Sequence, residues 1–353
     1  MSEDALVAAM RSGGAVFVTE AEREVAAHFG DAAGEYEAMC GGAAVVELPW
    51  IERLRATGED RVGFLQGMLS NDVAACVAGT GCRALLLSEQ GKAVGDLLVL
   101  VGEDVIALDG VGAASTVRTA LERFVVADDV EFVPAPPGRV FALFGPDAPA
   151  VLSEIGLPAP DQPFAHAPAA MADGEPHVVR VAEPGGGGFL CRVPCAGAAM
   201  WWERCVSADA RPAGIDAFEM LRIESGVPRH GRDVFVDTLA LEAPYENAIS
   251  FRKGCYLGQE VMERVTARGH VNRKLVGVEI EGESVPPPGV RLFAGDREVG
   301  WVTSVGRSWR LGRTIGLAYV RREQVEPGTE LELGGAGGPA ATVRALPFRA
   351  QSR

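Results

Sequence analysis

The chain has 353 residues, 48% of them hydrophobic and 23% charged, which is the composition of a folded protein with two or three packed domains rather than a disordered one. Its formal net charge is −15, a poor balance for direct binding to nucleic acid by bulk electrostatics. The apolar runs fall short of a membrane span, and the acidic start MSEDALVAAM has no export-signal pattern, so a cytoplasmic address is expected. The seven cysteines form no CxxC or CxxH spacing, so no zinc finger or redox dithiol is advertised, no metal site is expected, and reduced thiols fit best.

Residues 1–45 are Ala/Gly-rich and read as helical patches. A short strand near 47–54 precedes a helix over 60–71, with Val62, Leu65 and Leu69 on one face. Residues 83–88 and 97–101 read as strands joined at Gln90-Gly91, and 105–109 as a third. A helix over 115–124 follows, then strands near 130–133 and 140–144, then a helix near 148–155. The Pro/Ala-rich stretch 157–176 reads as a surface loop. Residues 178–181 and 189–193 form a hairpin, and 198–206 a helix. This order suggests an α+β layer with helices covering one side.

The clearest helix is 215–225, where Ala217, Leu221 and Glu224 share a stripe. Beyond Lys274, short β-rich runs alternate with Gly/Pro turns, as in a small barrel or sandwich. The expected domains are therefore 1–273, with two interwoven α+β parts, and 274–353.

Charge is uneven. Between Arg222 and Lys274 nine Lys/Arg face seven Asp/Glu, a slightly basic island in an acidic protein. Solvated helix faces with pairs such as Glu260–Arg264 account for such an island, and so does an anionic ligand. Within it, Arg252-Lys253-Gly254-Cys255-Tyr256-Leu257-Gly258-Gln259-Glu260 places a thiol beside two cations and ahead of a helix. Both neighbours favour a thiolate, while the commoner fate of a free cysteine is burial. The other six cysteines lack such neighbours and read as packing. Glu224, at the end of an apolar stripe, is either exposed at the helix end or buried against hydrogen-bond donors.

RKGCYLGQE (252–260) resembles the signature of the YgfZ family of folate-binding proteins, in the superfamily of the glycine-cleavage T-protein, or aminomethyltransferase. LRIESGVPRHGRDV (221–234) is similar to that superfamily's R-x-E-x-G segment. GEDRVGFLQGMLSNDV (58–73), EQGKAVGDLLV (89–99) and REVGWVTSVGRSWRLGRTIGLAYV (297–320) are similar to its N-terminal helix, the following hairpin and its C-terminal barrel. The resemblance implies an α+β cloverleaf fold with a C-terminal antiparallel β-barrel and a channel for tetrahydrofolate. It implies that Glu224 binds the pterin, that Arg252 or Lys253 faces the folate tail, and that Tyr256 and Asn71 also contact the cofactor. It implies chemistry at Cys255 and at Asp96, the latter in the hairpin of the aminomethyltransferase aspartate. That pattern usually has two adjacent acids, and here Gly95 replaces the first. The implied role is folate-dependent assembly or repair of iron–sulfur clusters in client enzymes, some of which modify tRNA. The implied partners are iron–sulfur assembly proteins or those clients. A folate-dependent methyltransferase or aminomethyltransferase is the rival reading.

Overall fold

A computed structural model describes residues 4–20, 23–111, 114–168 and 175–349. Its secondary structure is α+β, with three open sheets and one closed barrel among the described residues. Two compact units are assembled from interleaved segments: 1–65, 73–83 and 97–219 form one; 66–72, 84–96 and 220–353 form the other.

The first unit is built on a six-stranded sheet with the order His166–Pro168, His177–Val181, Gly188–Pro194, Gly138–Phe144, Ala44–Glu47, Arg211–Pro212. The strand at 138–144 is central because its buried run Val140–Phe144 has no polar side chain to solvate. Helices Ala5–Ser12, Ala148–Glu154 and Ala198–Ser207 cover this core, with Leu6, Met10, Val151, Leu152, Trp201 and Trp202 buried in it. Phe141 stacks on Trp201 with ring centroids 4.6 Å apart. Ile106–Val111, Ile51–Thr57 and Glu131–Pro134 pair in that order in a second sheet.

The second unit is dominated by the barrel. Arg273–Ile280, Arg313–Arg321, Arg297–Ser308, Arg291–Ala294, Glu330–Leu333 and Ala340–Arg344 pair in that order, and the last closes on the first. Closure removes exposed strand edges and encloses Val278, Leu292, Val302, Ala318, Val320, Leu331 and Val343. The small β-rich module expected beyond 274 is therefore a barrel.

Several sequence expectations change. Residues 16–20 and 23–28 are an antiparallel strand pair rather than helical patches. The β-branched and aromatic run Val16-Phe17-Val18-Thr19 carries that signal, masked by the surrounding Ala and Gly. The supposed loop 157–176 contains the edge strand His166–Pro168, and 169–174 lie outside the described residues. The single covered layer resolves into separate sheets. The helix expected over 60–71 spans only Arg61–Met68, because the Ser70 amide donates to the Leu85 carbonyl and the Gly67 carbonyl accepts the Leu257 amide instead of continuing the ladder.

Candidate functional site

The seven residues singled out from the sequence all fall in the second compact unit. Asn71 lies in its 66–72 segment, Asp96 ends its 84–96 segment, and Glu224, Arg252, Lys253, Cys255 and Tyr256 lie in its long C-terminal segment. Chain folding thus gathers three stretches that are far apart in sequence.

The loop 250–258 is built from the 66–72 segment upward. Ser70 is fully buried; its hydroxyl donates to the Ala248 carbonyl (2.6 Å) and accepts from the Leu85 amide (2.8 Å). The Ser250 and Leu257 amides then donate to the Ser70 and Gly67 carbonyls. The Lys253 ammonium donates to the carbonyls of Gln66, Leu69 (2.6 Å) and Asn71 (2.9 Å), which matches its three N–H bonds. Its charge also sits 5.2 Å from the centroid of the buried Tyr256 ring. Burial pushes the Tyr256 phenol above its ordinary pKa. Lys253 is therefore a tie between two segments, whose ammonium is committed to backbone.

Glycine 258 has φ +80°, and a Cβ there would lie 2.4 Å from the Ser88 carbonyl oxygen. Only glycine fits a left-handed position with that approach. Gln259 starts the helix Gln259–Arg268, and its side-chain oxygen accepts the Tyr256 amide (3.1 Å). The expected Glu260–Arg264 pair is present on that helix at 2.6 Å. Every residue of Lys253–Gln259 thus has a packing or hydrogen-bonding task except Gly254 and Cys255, which are exposed. Cys255 lies four residues before the helix starts, not at its first turn. Arg252 is exposed, and its guanidinium has no hydrogen bond or ion pair among the described residues.

Glu224 resolves to the buried alternative, at 2% exposure. Its Oε1 accepts from the Ser308 hydroxyl at 2.6 Å and its Oε2 pairs with Arg310 at 2.7 Å. Its backbone carbonyl accepts the Phe348 amide. The donors that a buried carboxylate requires come from the barrel. Asp96 is half-buried on Ala93–Val101. That strand's start is fixed by the Ala93 amide on the Thr238 carbonyl, 2.9 Å away. Asn71 donates from its side-chain amide to the Asn247 carbonyl at 3.3 Å.

Sequence reasoning missed a buried ion pair in the same unit. Arg222 and Asp233, at 2% and 0% exposure, pair at 2.8 Å, and Arg222 also donates to the Ser304 hydroxyl at 2.7 Å. The Ser304 and Thr303 hydroxyls donate to the other Asp233 oxygen. An arginine inside an apolar helix was the available signal. Reading the other six cysteines as packing holds for buried Cys191 and Cys205 but not for exposed Cys40 and Cys195, whose surroundings are set by tertiary position.

No described helix is long and apolar enough to cross a membrane. No cluster of three or more His, Cys, Asp or Glu that would hold a metal occurs among the described residues.

The interleaved α+β core with a closed six-stranded C-terminal barrel defines the T-protein class of fold. The chain superimposes on the glycine cleavage system aminomethyltransferase T of Bartonella henselae with a TM-score of 0.89, 24% identity and 98% coverage of both chains. Residues 6–253 match the GCVT N-terminal domain and 273–348 the glycine cleavage T-protein C-terminal barrel domain. The chain belongs to the glycine cleavage T-protein, or aminomethyltransferase, family. It is 30% identical to the aminomethyltransferase of Rubrobacter xylanophilus, over 97% of this chain and 93% of that one. It is 27% identical to that of Thermosynechococcus vestitus, over 90% and 87%. It is 26% identical to a putative chloroplastic transferase of Arabidopsis thaliana, over 84% and 70%. Members of this family typically bind tetrahydrofolate.

Proposed function

We propose that this chain is a tetrahydrofolate-binding accessory protein for iron–sulfur cluster assembly or repair, in the manner of the YgfZ family, and that Cys255 is its working group. One observation carries the reading: the Lys253–Gln259 run is accounted for by packing and hydrogen bonds, apart from an exposed thiol and the glycine before it. Such scaffolding presents a nucleophile or soft ligand at a fixed place on the surface.

Tetrahydrofolate, when bound, supplies a carrier for a one-carbon unit. The donor and acceptor set of the second unit fits it. Glu224 is a carboxylate already oriented by Ser308 and Arg310, suited to the N–H groups of a pterin. Arg252 offers an exposed guanidinium to the carboxylates of the folate tail. Lys253, with its N–H bonds on carbonyls, positions the loop instead. Tyr256 and Asn71 line the same segments, and Asp96 is the carboxylate of the adjoining hairpin.

A single thiolate does not hold a cluster by itself. The cluster is therefore cargo, met transiently by Cys255 together with ligands from an assembly protein or a client enzyme. Support for tRNA modification is then indirect, through those clients, consistent with a chain of net charge −15. The same reading places the protein in the cytoplasm.

The names of the relatives favour a second reading, aminomethyl transfer to folate, which rests on Asp96. Calorimetric titration with tetrahydrofolate separates folate binding from its absence. Micromolar affinity in the parent, lost in Glu224→Gln, is the expected result, and no binding would overturn the folate assignment. Cys255→Ser and Asp96→Asn then divide the readings. Falling cluster content of client enzymes in cells carrying Cys255→Ser supports maturation. Turnover of an aminomethyl donor, abolished by Asp96→Asn and indifferent to Cys255→Ser, would replace it with transfer.

A further inference from the structure

The first compact unit carries a cleft that the folate reading does not use. Its volume is about 600 Å³, within the range of small-molecule sites. Apolar walls come from Val7, Ile51, Pro134 and Pro137, and four arginines line it: Arg23, Arg53, Arg139 and Arg192.

Two of the four cations are neutralised. Arg53 is forked onto Asp109, at 2.5 and 2.6 Å. Arg139 pairs with Glu47 at 2.9 Å and with Asp4. The other two meet only carbonyls: Arg23 donates to Pro49 and Arg192 to Pro136, at 3.1 and 3.0 Å. Neither has a carboxylate partner among the described residues. Of the lining carboxylates, Glu24 is paired with Arg11, and Glu52 is held by the Ala114 amide at 2.7 Å. Arg192 is half-buried, and its burial and the neighbouring Arg53 charge pull its pKa below the usual guanidinium value. A partly desolvated cation is stabilised by a counter-anion in direct contact.

We propose that this cleft binds a small oxyanion, a carboxylate or a phosphate, seated against Arg192 and Arg23 with its apolar body on the proline wall. The guanidinium fork suits both groups, since each presents two oxygens at matching spacing. The site is independent of the folate assignment, because it uses no residue of the second unit.

Cys195 lines the same cleft and is exposed, so it reports occupancy. The experiment measures alkylation of Cys195 by neutral iodoacetamide, read peptide by peptide, in full-length protein at constant ionic strength. Citrate and inorganic phosphate are the two probes, with chloride as the reference. Saturable slowing of Cys195 alone, with Cys40 and Cys255 unaffected, is expected. Slowing by citrate only assigns a carboxylate ligand, and slowing by phosphate only assigns a phosphate. Arg192→Gln and the exposed Arg23→Gln each weaken the protecting anion roughly tenfold, the loss expected for a charge-assisted hydrogen bond. Equal alkylation rates in chloride, citrate and phosphate would overturn the proposal. So would protection that survives both substitutions.

Discussion

The Lys253 ammonium donates to the Asn71 carbonyl across 2.9 Å, joining residues 182 positions apart in the chain. With the Gln66 and Leu69 carbonyls it closes the end of the helix Arg61–Met68 and anchors the loop that exposes Cys255. A cation at a helix C-terminus also complements the partial charge of the last carbonyls.

Replacing that cation with an isostere tests its role. Lys253→Met keeps the stem over Tyr256 and removes the three donors. It is expected to lower stability by about 2–4 kcal/mol, since charged hydrogen bonds are the stronger ones and three carbonyls lose their partner. Faster amide exchange at 254–257 in the variant checks the assignment. Unchanged exchange with weaker folate binding would instead make Lys253 a ligand for the folate tail.

Arg222 and Asp233 form a buried pair whose members depend on each other. Asp233→Asn or Arg222→Met is expected to cost about 3–5 kcal/mol, because each strands a charge in the interior. The double variant is expected to lose less than the sum of the singles, and urea unfolding of all four proteins measures the coupling.

At Gly258 a methyl group meets both unfavourable backbone geometry and the Ser88 carbonyl. Gly258→Ala is expected to destabilise by at least about 1 kcal/mol. Restored thermal stability on going from Ala back to Gly, with no gain from Asn, shows that space rather than φ alone is limiting.

Acid sensitivity follows from a chain of hydrogen bonds in the first unit. Arg53 can only donate, so Nδ1 of His177, 3.1 Å away, accepts. The His177 proton then lies on Nε2 and is donated to His166 Nδ1 at 2.9 Å. His166 in turn donates from Nε2 to the Val101 and Thr80 carbonyls. Both rings are thus neutral. Burial and the Arg53 charge take His177 down to about 3, and burial lowers His166 as well. The unfolded chain therefore binds more protons below pH about 6.5. The His177 contribution is complete above that pH and declines as the pH falls toward 3, by up to about 1.4 kcal/mol per pH unit, and His166 acts in the same direction. Urea midpoints between pH 7 and 5 are expected to fall in the parent and to fall less steeply in His177→Gln.

Local pattern carried the β-rich C-terminal module, the helix Ile215–Ser225 and the special character of Lys253–Gln259. Barrel strands alternate between glycine turns, and an unusual glycine-bracketed thiol is visible in one dimension. The edge strand His166–Pro168 was hidden, because its Pro/Ala surroundings read as loop while its partner strand, His177–Val181, fixes it by pairing. Glu224 was ambiguous for a related reason. Burial depends on whether Ser308 and Arg310 arrive from the barrel, more than eighty residues later.

The sequence by itself determined the T-protein family, the α+β class, a small β-rich C-terminal module and the choice of Cys255 as the residue to question, since each rests on short-range periodicity or on contiguous runs. Only the tertiary structure decided what the neighbouring charges do. It turned Lys253 from a candidate ligand into a backbone tie, buried Glu224 against two donors, paired Arg222 with Asp233, and left Arg23 and Arg192 without carboxylates. The physical reason is that a charged group's role is set by the dielectric and by the partners within about 4 Å, and those partners come from distant parts of the chain.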